Sequence, residues 1–273
     1  MNIFPLYKDF FRFVEKISLF LDKWKIYSEF YYQPHQEFLD IYFSHFPLLD
    51  PSSLKERVEK IKVSDYSWLQ SLLSVSPPEK IITQAYKKCI EIVPPEEEPN
   101  VYLFVGFFSP DGFVMNFKGK PVICFGLERF KDFSLLKIIF AHEYAHFLLN
   151  SSDGNIPERM RFKWLLISEG LGTYFSKLAF PNPPLADHLL FRRDRLNWCQ
   201  ANESHLREIF CSGKFSNQEL LDFYFKGNPK LDLPPRAGKY LGFQAIKKYL
   251  ADNKEKDIGS LLTDKESALS LPL

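Results

Sequence analysis

Long uncharged apolar runs are missing from this chain of 273 residues. No stretch approaches the roughly 20 residues that a membrane-spanning helix requires, so a helical span is not expected. The N-terminus, MNIFPLYKDFFRFVEK, lacks a signal peptide's order of basic region, unbroken apolar run and small-residue cleavage site; its charges recur every few residues instead. Cysteine is scarce: Cys89, Cys124, Cys199 and Cys211 are scattered, with no CxxC pair and no disulfide-dense pattern. These absences lead to an expectation of cytoplasmic residence, with the cysteines as small core residues. Charge imbalance is missing too. Lys and Arg number 35 against 34 Asp and Glu, so the net charge of +1 gives no global field to draw in nucleic acid or an anionic membrane. No internal repeat or low-complexity tract stands out.

What is present suits a soluble globular protein: 45% hydrophobic and 25% charged residues, in a chain long enough to bury a real core as one large domain or two modest ones. The 28 phenylalanines are spread along the chain and read as core filling. Residues 1–95 show helical apolar spacing. Phe10, Phe13, Val14, Ile17, Phe20, Leu21 and Trp24 recur at threes and fours with charged residues between them. More helix follows in HQEFLDIYFSHF, SSLKERVEKIKV and PPEKIITQAYKKCIEI. PPEEEPN at 94–100 breaks the pattern and suggests a boundary between a helical region (1–95) and a second domain (96–273). After it come VYLFVGF, GFVMNF and PVICFG, separated by Ser109-Pro110-Asp111-Gly112 and Lys118-Gly119-Lys120. This texture predicts a three-stranded antiparallel meander from about Val101 to Gly126. Helical spacing returns at FSLLKIIFAHEYAHFLLN, with Asp132 or Ser134 as N-cap, and again after Pro157 in ERMRFKWLLISEGLGTYFSKLAF. The remainder is helical, broken by a Pro-rich turn at Leu231 to Pro235. The fold class expected is α+β and predominantly helical.

Two of only six histidines stand four apart in HEYAH. On a helix, His142 and His146 lie one turn above each other and can offer two imidazole nitrogens to one ion. Glu143 lies about 100° round the helix, placed to reach a water on that ion. Leu135, Ile139 and Leu149 share the histidines' face, so both rings point into packed protein. A catalytic zinc takes three protein ligands and keeps one position open. Glu169, in the apolar stretch WLLISEGLGTYF, is the candidate third ligand, because a buried carboxylate needs a partner. The alternative is pairing with Arg159 or Arg161. Gly170 and Gly172 let another backbone approach closely.

HEYAH and SEGLGTYF, with 22 residues between His146 and Glu169, resemble the gluzincin arrangement, and more closely an uncharacterised family of predicted zinc-dependent proteases. PPRAGKYLGFQAIKKYL at 234–250 is similar to a late segment of that family. Gly172, where alanine is common, and Lys239, where an aromatic is frequent, depart from its pattern. The resemblance implies a zincin-like metallopeptidase domain, its small antiparallel sheet packed on the metal-binding helices. One Zn²⁺ on His142, His146 and Glu169 would activate water for peptide hydrolysis, with Glu143 as general base. Tyr240 and Arg236, four apart at a helix start, are the expected oxyanion donors. A peptide or protein substrate would add as a strand to Phe113–Phe117 or Pro121–Gly126. Two alternatives keep the metal: a hydrolase of a non-peptide amide, and an inactive interaction module in which the ion clamps two helices. The latter needs a fourth ligand, for which Asp153 is nearest. His35, His45, His188 and His205 receive no role.

Overall fold

The computed structural model describes residues 1–17, 22–45, 51–107, 110–151 and 156–273, apart from the side chains of residues 51 and 52. The expectations that fall on Phe20, Leu21, Phe46, Ser109 and Asp153 therefore lie outside the described residues. The fold is α+β and predominantly helical, as the apolar spacing indicates. Its contacts separate two compact units, one formed by residues 1–84 and 95–137, the other by residues 85–94 and 138–273.

The first unit holds the sheet together with N-terminal helices. Strand β1 (Asn2–Phe4) precedes helices α1 (Tyr7–Lys16), α2 (Lys23–Tyr27), α3 (Gln36–His45), α4 (Pro51–Lys60) and α5 (Ser67–Val75); α6 (Pro78–Ile92) begins here and ends in the second unit. A π-helical turn at Ser28–Tyr32 follows α2 directly. Strands β2 (Asn100–Phe104), β3 (Phe113–Phe117) and β4 (Lys120–Gly126) complete a sheet ordered β1-β2-β4-β3.

This sheet corrects the expected meander. All three strands exist, but β2 pairs with β4 and runs parallel to it, with Tyr102 opposite Cys124. Only β3 and β4 form the antiparallel hairpin, with Met115 opposite Val122. Lys118 and Gly119 turn that hairpin with φ of 54° and 80°, the left-handed pair a tight two-residue connection requires. β1 adds in parallel on the other side of β2. The sheet is mixed, its edges are β1 and β3, and β4 lies inside it. A strand donated by a peptide therefore has no edge at Pro121–Gly126.

Phenylalanine and tyrosine fill this unit's core, in line with their abundance. Phe10 meets Tyr31 edge-on at 5.4 Å, and Phe13 meets Tyr27 at 5.3 Å. The Tyr31 and Tyr42 hydroxyls donate to the carbonyls of Val105 and Gly106, at 2.9 Å each, satisfying backbone that has just left β2.

The second unit is helical among its described residues. After α7 (Leu136–Ser151) come α8 (Arg161–Ala179), α9 (Leu185–Leu189), α10 (Arg193–Ala201), α11 (Glu203–Cys211), α12 (Asn217–Lys226), α13 (Gly238–Asp252), α14 (Ile258–Thr263) and α15 (Lys265–Leu269). Within the unit α7 is buried almost all round: Ile139, His142, Glu143, Tyr144 and Leu149 are each under a tenth exposed. A helix apolar on every side belongs in a core. α8 and α13 come closest to each other where two glycines meet. A Cβ on Gly170 would overlap the backbone of Gly242, and one on Gly242 would overlap the Leu166 carbonyl. The close approach expected of Gly170 is real, and its partner is α13.

Candidate metal centre

The HEYAH segment falls in the middle of α7 and Glu169 near the centre of α8. One ligand atom from each of His142, His146 and Glu169 lies within 4.8 Å of the other two, the sole such group of three among the described residues. The two histidine Nε2 atoms face each other at 3.1 Å. Glu169 Oε2 is 3.4 Å from His142 Nε2, and Oε1 is 3.8 Å from His146 Nε2. Neither Arg159 nor Arg161 takes the Glu169 carboxylate; Arg161 pairs with Glu158 at 2.8 Å.

Local packing aims the rings. Gly172, three residues beyond Glu169, lies against the His142 imidazole: a Cβ there would sit 2.6 Å from its Cε1 and 2.7 Å from its Nδ1. Glycine is required at 172 because the ring occupies the space a side chain would fill. His142 Nδ1 is buried and has no hydrogen-bond partner. The ring's orientation is thus set by packing, without the outer hydrogen bond common to metal-bound histidines.

Protonation suits ligands. Burial pushes the His142 imidazole down to about 3, and the Lys239 charge pushes the same way against the pull of Glu169. Burial also lowers His146, with Glu169 opposing and Lys239 assisting. Burial works against an ionised Glu169, but the Lys239 charge and the contact with His142 override it and hold the carboxyl well below the usual range. At neutral pH the group is two neutral imidazoles and a carboxylate, the donor set of a zinc site. These residues fit the ion.

The surroundings differ from expectation. Lys239 is buried at 4% exposure, and its Nζ lies 3.1 Å from Glu169 Oε2 and 3.5 Å from His142 Nε2. Tyr240, expected beside the ion, has its hydroxyl committed elsewhere: it donates to Glu203 at 3.2 Å and accepts from Gln244 at 2.6 Å, with its ring in an apolar cluster beside Leu206 and Leu241. Arg236 is exposed, adopts a left-handed φ of 62°, and its backbone N–H donates to the Tyr224 carbonyl at 2.6 Å. Lys239 and Tyr240 are adjacent in the chain, and the helix phase brings the lysine, not the tyrosine, to the cluster. A lysine inside the otherwise apolar GKYLGF was the signal for it.

Tyr224, which no motif in the sequence marks, also senses the cluster's charge. It is buried, and its phenol is raised well above the usual range by burial first and by the Glu169 charge second, with Arg236 opposing. Glu143 is buried on α7, beside His142 in the chain. Tyr144 points away from the cluster, as its phase implies, and donates to the Val93 carbonyl at 2.8 Å. The histidines given no role serve ordinary contacts: His35 with Asp9 at 2.8 Å, His188 with Ser176 at 3.0 Å and His205 with the Leu231 carbonyl at 2.8 Å.

A family model described as gliding motility protein GldB matches residues 3–270. No curated protein and no solved structure matches the chain. The family match overturns the resemblance to zinc-dependent proteases, and with it the expected peptidase activity and its hydrolase alternative. HEYAH and SEGLGTYF describe how two helices can hold an ion; they are a small part of a pattern that runs nearly end to end in a motility family. Cytoplasmic residence is corrected on the same ground. The matched family is one of lipoproteins, which belong to a membrane or the cell envelope. The absence of a long apolar helix among the described residues concerns only helical spans and does not bear on a lipid anchor.

Proposed function

As the chain belongs to the gliding motility protein GldB family, we propose that it acts at the cell envelope as a metal-binding component of motility machinery, with His142, His146 and Glu169 holding one zinc ion. The observation that carries the metal reading is the convergence of three ligand atoms from α7 and α8 within 4.8 Å. Zinc there supplies a divalent cross-link between two helices that are otherwise joined by side-chain packing. The chain's own part is to present the ligands in the right state. Burial keeps both imidazoles neutral, Gly172 leaves room for the His142 ring, and Lys239 holds one oxygen of the Glu169 carboxylate, leaving the other turned toward His146.

The test is metal content and stability of the purified protein. About one zinc per chain is expected, falling to near zero in His146→Ala. Saturating zinc raises the unfolding temperature of the natural chain by several degrees and leaves the variant unchanged. A natural chain that retains no zinc, and whose melting is indifferent to added zinc and to chelator, would refute the metal reading. Fractionation of host cells tests the other half: the protein is expected with membranes, and recovery in the soluble cytosolic fraction would count against an envelope role.

A further inference from the structure

Lys239 is out of place in a plain zinc site. Its side chain is 5% exposed, and it comes from α13, a helix that supplies none of the three ligands. Burying an ammonium is costly unless it is paired, and its partner here is the very carboxylate that would bind the ion. Nζ is 3.1 Å from Glu169 Oε2 and 3.5 Å from His142 Nε2, while the two histidine Nε2 atoms are 3.1 Å apart. The ammonium therefore shares with the ion two of its three ligands. A single positive charge at that distance already neutralises Glu169 and leaves little uncompensated negative charge for a divalent cation.

From this arrangement we infer that Lys239 is a resident cation that competes with the metal, so that the site has two occupied states, one closed by the lysine and one by the ion. The inference rests on the metal reading above and concerns how that same site is regulated. In the lysine state α13 is tethered to α8 through the Lys239–Glu169 pair. In the metal state Glu169 turns to the ion, and the cross-link runs instead between α7 and α8. Two like charges a few ångströms apart in a buried site repel strongly, so metal entry weakens the lysine's hold on its partner. Because α8 and α13 meet without side chains at Gly170 and Gly242, a change in their tether is transmitted along a close helix pair. Metal exchange is thereby coupled to the position of α13, and the site is suited to sensing metal supply more than to holding an ion permanently.

The experiment measures zinc affinity by competition with a chromophoric chelator for the natural chain, Lys239→Met and Lys239→Arg. Methionine keeps the unbranched stem and removes the charge. The Met variant is expected to bind zinc about tenfold more tightly or better, while the Arg variant stays at or below the natural affinity. Without metal, the Met variant melts at a lower temperature than the natural chain, because Glu169 has lost its partner, and zinc restores it; that recovery shows that the variant folds. If the natural chain binds zinc and the Met variant binds no more tightly, the competition is refuted and the metal reading stands. If only the Met variant binds, the competition holds, and zinc occupancy in the natural chain does not. If neither binds, both fall.

Discussion

A single buried histidine away from the metal cluster sets a measurable pH dependence. His188 is fully buried in the second unit, with Nδ1 3.0 Å from the Ser176 hydroxyl. Burial, then the neighbouring Lys177 charge, lower its imidazole to about 4, against the partial pull of the Pro183 and Phe180 carbonyls. In the unfolded chain it titrates near 6.5. Above that value neither state binds the proton and stability is unaffected. Between about 6.5 and about 4 the unfolded chain takes up a proton that the folded chain refuses, so stability falls as the pH is lowered. The loss from this residue is on the order of 2–3 kcal/mol at the foot of the window. Urea unfolding between pH 7 and pH 4.5 is expected to show a steeper loss in the natural chain than in His188→Gln; parallel curves would contradict the assignment. The cluster histidines shift in the same direction, which is why the comparison with the variant, and not the raw slope, carries the prediction. At this scale the sequence was readable where chemistry repeats at a helical interval. His142 and His146 had to share a face, and Glu169 needed a partner in so apolar a stretch. It marked Lys239 only as a charge inside an apolar stretch, and it was silent on Tyr224 and His188, whose roles depend on which helix packs where.

Among elements, the contact between α8 and α13 governs the site. Gly170 and Gly242 stack backbone on backbone, and either Cβ would collide with main chain. A main-chain atom cannot swing aside as a side chain does, so relief requires the helices to separate. Gly242→Ala is therefore expected to destabilise the protein by about 1–3 kcal/mol or more, read as a shift in the urea midpoint at unchanged m-value. A midpoint shift equivalent to less than about 0.5 kcal/mol, the range of an indifferent surface change, would show that the helices already have the room. The glycines announced a close approach in the sequence, although the spacing of Gly170 does not reveal α13 as its neighbour. Strand identity was equally legible and strand partnership was not. Alternating residues mark β2, β3 and β4, but nothing in the stretch 101–126 distinguishes an antiparallel neighbour from a parallel one. The pairing of β1 with β2 joins residues nearly a hundred positions apart and leaves no local trace. The N-terminal periodicity likewise crosses from α1 into α2, since apolar spacing records a face and not the ends of a helix.

For the molecule as a whole, family membership and the candidate metal centre reside at different scales. The motility-family match extends over residues 3–270 and takes in both compact units, whereas the candidate metal centre consists of four side chains in one of them. A five-residue motif can recur in proteins of unrelated purpose because it encodes only an ion-binding geometry. The order of residues across a whole chain is what separates a motility protein from a protease, and no local group carries that order. The same difference in scale makes the effect of zinc a regional one. An ion bound only by the native arrangement at a hundred times its dissociation constant adds about 2.7 kcal/mol to any opening that breaks the site, slowing exchange of the amides exposed by that opening by about a hundredfold. Openings that leave the ligands together gain nothing. Zinc is therefore expected to protect the middle of α7 around His142–His146 and of α8 around Glu169 most strongly, in hydrogen exchange followed by mass spectrometry. Frayed ends such as the last turn of α15 should exchange at their former rate. If zinc is bound and these two helices show no slowing, the ion sits elsewhere, and the His142–His146–Glu169 group is a set of packed polar residues held together by Lys239.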